Sequence, residues 1–367
     1  MERLARKTYR TNSSKRNIME THTINYTDVH HKFKLNGFHL GKDDLCRVAY
    51  SFIKEGADFE KPVGNFLLDW FDDRDYIEMD TSGSTGLPKR IRVKKQAMVN
   101  SALATGAFFD LMEGDKVLHC LPAKYVAGKM MFVRGFVLGL DIDFVAPSAK
   151  PLKNCDTQYA FSAMVPLQAQ NSIADLKWIK KLIVGGAKIS AQLEADLIAS
   201  GTACFETFGM TETVSHIAAK PVGDAVFQTM SNIEVSADER GCLVISAPDI
   251  SNEKIVSNDL VQVHTPHTFT WLGRIDNVIN SGGIKLSPEL IEEKLAPKIN
   301  RRFFVAGLPD NELGQRLVLV VEGEPYELSE DTFKKLDKYE KPKEIIFKPI
   351  FKETGNGKII RQDSLNA

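Results

Sequence analysis

From Tyr76 onward, short apolar runs alternate with helix-like stretches, and one run empties directly into paired glycines. Residues 116–121, 142–146, 182–184 and 203–205 read as strands, and 182–184 is followed by Gly185-Gly186. Residues 130–138 read as an apolar helix. A second helix has Ser190 as its N-cap and Gly201 just past its end. Such alternation predicts an α/β sheet whose strand ends bind a ligand. Ahead of it, residues 20–75 form a mixed section with an amphipathic stretch over 43–54. After Gly273 the texture changes. Ser287-Pro288-Glu289 opens a helix in the order cap, proline, acid, and strand runs follow at 303–306 and 317–321. A lysine-rich tail over 334–361 comes next, so a domain boundary is expected between Gly273 and Asp276.

One loop in this pattern cannot pack a core: Thr81-Ser82-Gly83-Ser84-Thr85-Gly86-Leu87-Pro88-Lys89. Its glycines permit unusual backbone angles, and its amides and hydroxyls can turn toward an anion with Lys89 as a point charge. A flexible linker is the bland alternative. A linker, however, has no need of a hydroxyl cluster ending in Pro-Lys, so a phosphate loop is the better reading. It is not a Walker A loop. With Gly83 as the first glycine that pattern needs Gly-Lys-Ser/Thr at 88–90, where the chain has Pro88-Lys89-Arg90.

Composition narrows the class. The 367 residues are long enough for two or three domains, and 43% hydrophobic with 26% charged residues is ordinary for a soluble enzyme. A formal net charge of -1 gives no global pull toward nucleic acid or anionic membrane. Five cysteines, with no C-x-x-C, argue against a disulfide framework or zinc site and fit a reducing cytoplasm. The longest apolar run, 130–140, is broken by Arg134 and is too short to span a bilayer. Residues 1–18 are basic without an apolar segment. They read as a disordered leader ahead of Met19, not a secretory signal.

Four further stretches carry chemistry. Glu206-Thr207-Phe208-Gly209-Met210-Thr211-Glu212-Thr213, just after a strand, joins a glycine, hydroxyls and carboxylates suited to a nucleotide and a metal ion, although an ordinary strand-to-helix turn looks similar. Ser257-Asn258-Asp259-Leu260 offers a strand-edge carboxylate for ribose hydroxyls; alone, Asp259 reads as a turn residue. The run from Trp271 to Lys285 (WLGRIDNVINSGGIK) joins the two textures and contains Gly282-Gly283. Thr354-Gly355-Asn356-Gly357-Lys358 places a lysine on a glycine turn, where an exposed lysine is ordinarily just solvated charge.

Taken together and in this order, these stretches resemble the adenylate-forming superfamily of acyl-CoA synthetases, luciferases and adenylation domains, over about residues 76–361. Within it, the phrase from Trp271 through Glu289, with Ser257-Asn258-Asp259 before it, is similar to that of short o-succinylbenzoate–CoA ligases of menaquinone synthesis. The resemblance implies a large N-terminal α/β domain, 19–273, and a small mobile α+β C-terminal domain, 274–367, with its hinge at Asp276. It implies ATP, Mg2+ and coenzyme A, with a small-molecule carboxylic acid activated as an acyl-adenylate and then passed to the CoA thiol. Thr81, Ser82, Gly83, Ser84, Thr85, Gly86 and Lys89 would hold phosphates. Gly185, Gly186 and Ala187 would frame adenine, with Glu206, Thr207, Phe208 and Gly209. Thr211 would contact the α-phosphate, and Glu212 would hold the magnesium ion. Asp259, with Arg274 beside it, would bind ribose, and Lys358 would bridge the acyl carboxylate and the α-phosphate. Tyr125, Gly128 and Arg134 would form the acid pocket, Arg134 meeting the carboxylate that does not react.

Three departures stand out. The phosphate loop begins unusually early, at Thr81, so part of the usual N-terminal subdomain is expected to be missing and a homo-oligomer is compatible with the chain. The family's aromatic-His pair is replaced by Lys124-Tyr125-Val126-Ala127-Gly128, and its Thr-Gly-Asp by Ser257-Asn258-Asp259. None removes a catalytic charge. A stand-alone adenylation enzyme and an inactive nucleotide-binding module are the competing readings. The retention of Lys358, Glu212 and Asp259 counts against the second.

Overall fold

The computed structural model describes residues 24–80, 90–353 and 359–366. Within them, thirteen strands form one sheet with two characters, the short edge strand Phe38–His39 pairing antiparallel with Lys34–Leu35. In one half Lys34–Leu35, Asp141–Phe144, Lys116–His119, Tyr159–Met164, Ile179–Val184 and Ala203–Gly209 lie parallel, side by side in that order. Their side chains are buried in near-continuous runs, as a sheet covered on both faces requires. The other half is antiparallel: His216–Pro221, Phe227–Thr229, Thr268–Arg274, Ile255–Thr265, Cys242–Ser246 and Glu234–Ala237. Ala203–Gly209 is the seam, parallel to one neighbour and antiparallel to the other.

Helices Lys61–Phe71, Lys95–Phe108 and Val126–Leu138 pack beside the parallel half. Val126–Leu138 is buried almost all round, so it lacks an amphipathic stripe. It approaches Lys95–Phe108 closely because Gly106 has no Cβ; one there would lie 2.7 Å from the Leu138 side chain. Phe132 and Phe136 join Phe66 and Trp70 in an aromatic core, with ring centroids 5.8–6.4 Å apart. Helix Ala191–Ala199 starts where its local chemistry predicts: Ser190 Oγ accepts a hydrogen bond from the Leu193 amide.

A second sheet begins at Ile279, after the first sheet's last strand ends at Arg274. Ile284–Leu286, Ile279–Ser281, Gly314–Glu322 and Phe303–Asp310 are antiparallel neighbours, and Glu344–Lys348 joins Gly314–Glu322 in parallel. Helix Pro288–Leu295 covers it, burying Ile291 and Leu295 with Leu317, Leu319 and Val321. A separate hairpin pairs Tyr76–Asp80 with Arg90–Lys94. The candidate phosphate residues Thr81, Ser82, Gly83, Ser84, Thr85, Gly86 and Lys89 lie outside the described residues, as does Lys358.

Two sequence expectations need correction. The strand expected at 203–205 runs on to Gly209, so the Glu206–Gly209 motif is strand. The chain then enters a hairpin through a 3-10 turn at Thr211–Thr213, not a helix. Asp259 is neither at a strand edge nor in a turn. It lies inside Ile255–Thr265, which is flanked on both sides. In both cases pairing with a strand distant in sequence supplied the hydrogen bonds that local propensity did not signal.

Candidate active site

The parallel strands end where the sheet changes character, and the candidate residues gather there. Gly185 follows Ile179–Val184, and a Cβ on it would lie 2.5 Å from Thr207 Oγ1 on the neighbouring strand, so glycine here leaves room for that hydroxyl. Gly186 has φ +88° and opens the turn that Ala187 continues. Thr207 Oγ1 in turn donates to the Val184 carbonyl at 3.4 Å. Phe208 packs edge-on to Phe227 and Phe269, which anchors the strand. The Glu206 carboxylate is committed to Lys220, 2.9 Å away across the hairpin, so this residue offers a site its backbone more than its charge.

The hairpin turn is built by Thr213. Its buried hydroxyl accepts from the Met210 amide at 3.0 Å and lies 2.8 Å from the Ser215 carbonyl, and Val214 takes a left-handed φ of +67°. Gly209 faces this turn so closely that a Cβ would sit 2.4 Å from Ser215 O. The result leaves Thr211 half-buried and Glu212 exposed, with no described partner for the Glu212 carboxylate. An uncommitted carboxylate at a strand end suits a hard divalent cation that keeps water and phosphate oxygens as its other ligands.

Arg134 reaches the same turn from helix Val126–Leu138. Its side chain is 2% exposed, and Nη2 donates to Ser215 Oγ at 3.1 Å. Its Nε is buried without a partner, and among the described residues no carboxylate pairs with it. Burial pulls the guanidinium down to about 10, which still leaves it charged at neutral pH. Two buried histidines stand near. Desolvation, then the Arg134 charge, depresses His119 to about 3 and His216 well below the usual imidazole range, so both are neutral. Arg134 is thus a desolvated cation among neutral groups.

The other acid-pocket candidates flank the start of this helix. Tyr125 is its N-cap, half-buried, and Gly128 is pressed on the Pro122 carbonyl, where a Cβ would lie 2.3 Å away. Lys129 turns from Arg134 to the helix entrance, donating to the Ala123 and Lys124 carbonyls at 2.7 and 3.1 Å.

A second cluster lies at the junction of the two sheets. Asp259 is buried, and its Oδ1 accepts from Trp271 Nε1 at 3.0 Å. Arg274 is its cross-strand partner in the backbone register, yet the guanidinium turns instead to Asp276, 2.7 Å away. Glu289 ties the two clusters. Its carboxylate faces Gly273, whose φ of +130° and lack of Cβ make room for it, and its carbonyl accepts from Lys188 at 3.4 Å, two residues past Gly186. Arg361 ion-pairs with Glu289 and Glu292, 3.4 and 3.0 Å away.

Sequence reasoning missed Ser215, His216, His119 and Glu289. Ser215 sits two positions beyond Thr213, where the 206–213 motif ends, and a search for hydroxyls along the whole hairpin turn could have found it. His119 and His216 carried no local signal, and Glu289 read only as the acid that opens its helix.

Comparison with known proteins places these features. Residues 76–235 match the family described as AMP-binding enzyme. The crystal structure of an acyl-CoA synthetase (AMP-forming)/AMP-acid ligase II-like protein from Dyadobacter fermentans is 33% identical, with a TM-score of 0.59, over 89% of this chain and 98% of that one. The 2-succinylbenzoate–CoA ligase of Escherichia coli K12 is 27% identical over 306 residues, 77% of this chain and 66% of that ligase. The chain therefore spans about two thirds of the length of such curated relatives. An o-succinylbenzoate coenzyme A synthetase from Bacillus subtilis, solved with ATP and magnesium ion, shares the fold at a TM-score of 0.70 and 17% identity, over 89% of this chain and 82% of that one. With a third of its residues shared along nearly the whole of one such protein, the chain belongs to the adenylate-forming family of AMP-binding enzymes.

Proposed function

We propose that the protein is an ATP-dependent acid–CoA ligase that activates o-succinylbenzoate. The observation that carries the substrate is Arg134: a buried guanidinium with no carboxylate partner among the described residues, joined through Ser215 to the turn that presents Thr211 and Glu212. A desolvated cation lacks compensation until an anion meets it. The named relatives that act on 2-succinylbenzoate support a second, unreactive carboxylate as that anion.

In this reading Gly185, Gly186 and Ala187 receive adenine opposite the 206–209 strand, and the free oxygen of Asp259 takes a ribose hydroxyl while Trp271 holds the other. Residues 81–86 and Lys89 bind the β- and γ-phosphates. Glu212 and Thr211 face the α-phosphate region; Glu212 would hold magnesium, which would supply charge neutralisation there. Arg134, Gly128 and Tyr125 orient the acid so that its reacting carboxylate attacks the α-phosphate, the α–β phosphoanhydride bond breaks and pyrophosphate leaves, with Lys358 between the two anions. Placed cations and amides lower this barrier because the transition state concentrates negative charge. Residues from 274 onward then turn about Asp276, which withdraws Lys358 and opens the adenylate to the CoA thiol. Five cysteines without a disulfide support a reducing cytoplasm, and no described helix is long and apolar enough to cross a membrane.

Pyrophosphate release across a panel of carboxylic acids, with mass spectrometry of the CoA product, tests this. o-Succinylbenzoyl-CoA as the favoured product is expected. Equal activity on benzoate or a fatty acid would overturn the substrate, and release of AMP only when a carrier protein is supplied to take the acyl group would overturn the ligase.

A further inference from the structure

We propose that His216 is a positioning residue for acid recognition, setting the direction of the Ser215 hydroxyl and through it the aim of the Arg134 guanidinium. The inference rests on the reading of Arg134 as the acid-binding cation. It comes from a chain of hydrogen bonds whose polarity can be counted from its far end. Thr105 Oγ1 spends its only hydrogen on the Ser101 carbonyl, 2.9 Å away within the helix. It can therefore only accept from His216 Nε2, at 3.2 Å, which puts the imidazole proton on Nε2. His216 is neutral, so Nδ1 is left as an acceptor and takes the Ser215 hydroxyl hydrogen at 3.4 Å, the longest link. Ser215 Oγ then shows Arg134 only lone pairs, and Nη2 donates to them at 3.1 Å.

Each proton in this chain is assigned by the one before it. One guanidinium nitrogen is thereby tethered while Nε stays uncommitted. With the hydroxyl free to rotate, Ser215 could turn its hydrogen toward Arg134, donor against donor. The chain crosses from helix Lys95–Phe108 to helix Val126–Leu138 by way of the start of strand His216–Pro221, elements that share no local sequence. Thr105 is fully buried, and His216 is 9% exposed with its ring edge-on to Phe109, so solvent does not supply substitutes.

The experiment measures KM for o-succinylbenzoate and for ATP in His216→Leu, His216→Asn and Thr105→Val. His216→Leu should raise the acid KM about ten-fold, the scale of one lost hydrogen bond to a charged group's partner, and leave the ATP KM within about two-fold. His216→Asn, whose side-chain oxygen can stand where Nδ1 stood, should recover most of that loss. Thr105→Val keeps shape, removes the group that fixes the tautomer, and should raise the acid KM about three-fold. Thermal unfolding of each variant separates misfolding from misaiming, and Thr105→Val carries the test if His216→Leu does not fold. An acid KM unmoved in Thr105→Val and in folded His216→Leu, or raised equally with that for ATP, overturns the proposal. Arg134→Ala measured alongside keeps the two readings apart. If it raises the acid KM while the His216 and Thr105 variants do not, positioning fails and the acid site stands; if it too is silent, the acid site itself is wrong.

Discussion

Asn258 donates through Nδ2 to both carboxylate oxygens of Asp276, at 3.1 and 3.3 Å. The residue that replaces the family's glycine therefore clamps the candidate hinge, and Arg274 Nη2 holds the same carboxylate from the other side at 2.7 Å. If Asp276 is the pivot, the clamp favours the arrangement seen in this structure. Asn258→Ala should then speed the passage to thioester formation. The ratio of thioester formation from supplied acyl-adenylate to pyrophosphate release should rise about five-fold, as expected for one half-exposed charge-assisted bond of about 1 kcal/mol. An unchanged ratio would remove Asn258 from hinge control.

Asp259→Ala should weaken ATP binding far more than acid binding. One ribose hydroxyl bond to a carboxylate oxygen is worth about 1.5–3 kcal/mol. Trp271→Phe, which frees Oδ1 from its 3.0 Å tether, should reproduce part of that loss. An unchanged ATP KM in Asp259→Ala takes this residue out of the site.

Lys358 is expected to serve only adenylate formation. Lys358→Ala should lose that half-reaction by orders of magnitude and still convert supplied acyl-adenylate to thioester, while Asp276→Pro, which restricts the hinge backbone, should do the reverse. Equal losses in both half-reactions would contradict domain alternation.

Arg134→Ala should raise the KM for o-succinylbenzoate by about 2–4 kcal/mol of lost binding, the scale seen when one partner of a desolvated charge pair is removed, and leave ATP nearly untouched. Arg134→Lys keeps the charge and loses the planar fork, so it should recover only part of the loss. A benzoate analogue lacking the succinyl group competes for the same cation. It should inhibit the wild type and not the alanine variant.

Features whose cause is local were legible in the chain itself. Ser190 caps its helix through a bond three residues away, and Gly185-Gly186 marks a strand exit. The alternation from Tyr76 likewise predicted an α/β sheet, and its runs fall on Lys116–His119, Asp141–Phe144, Ile179–Val184 and Ala203–Gly209, while Lys34–Leu35 and Tyr159–Met164 went unread. What the chain could not show by itself depends on partners far along it. Asp259 reads as a turn residue until Thr268–Arg274 pairs beside it and Trp271 takes its oxygen. Arg134 reads as a cation breaking an apolar helix until burial strips its water and Ser215, from a hairpin 81 positions on, becomes its one described hydrogen-bond partner. His216 has no meaning in sequence, because Thr105, which fixes its proton, lies 111 positions away. Local propensity and spacing act over a few residues. Desolvation and hydrogen-bond polarity act between whatever the fold brings into contact, and that is decided only when the sheet assembles.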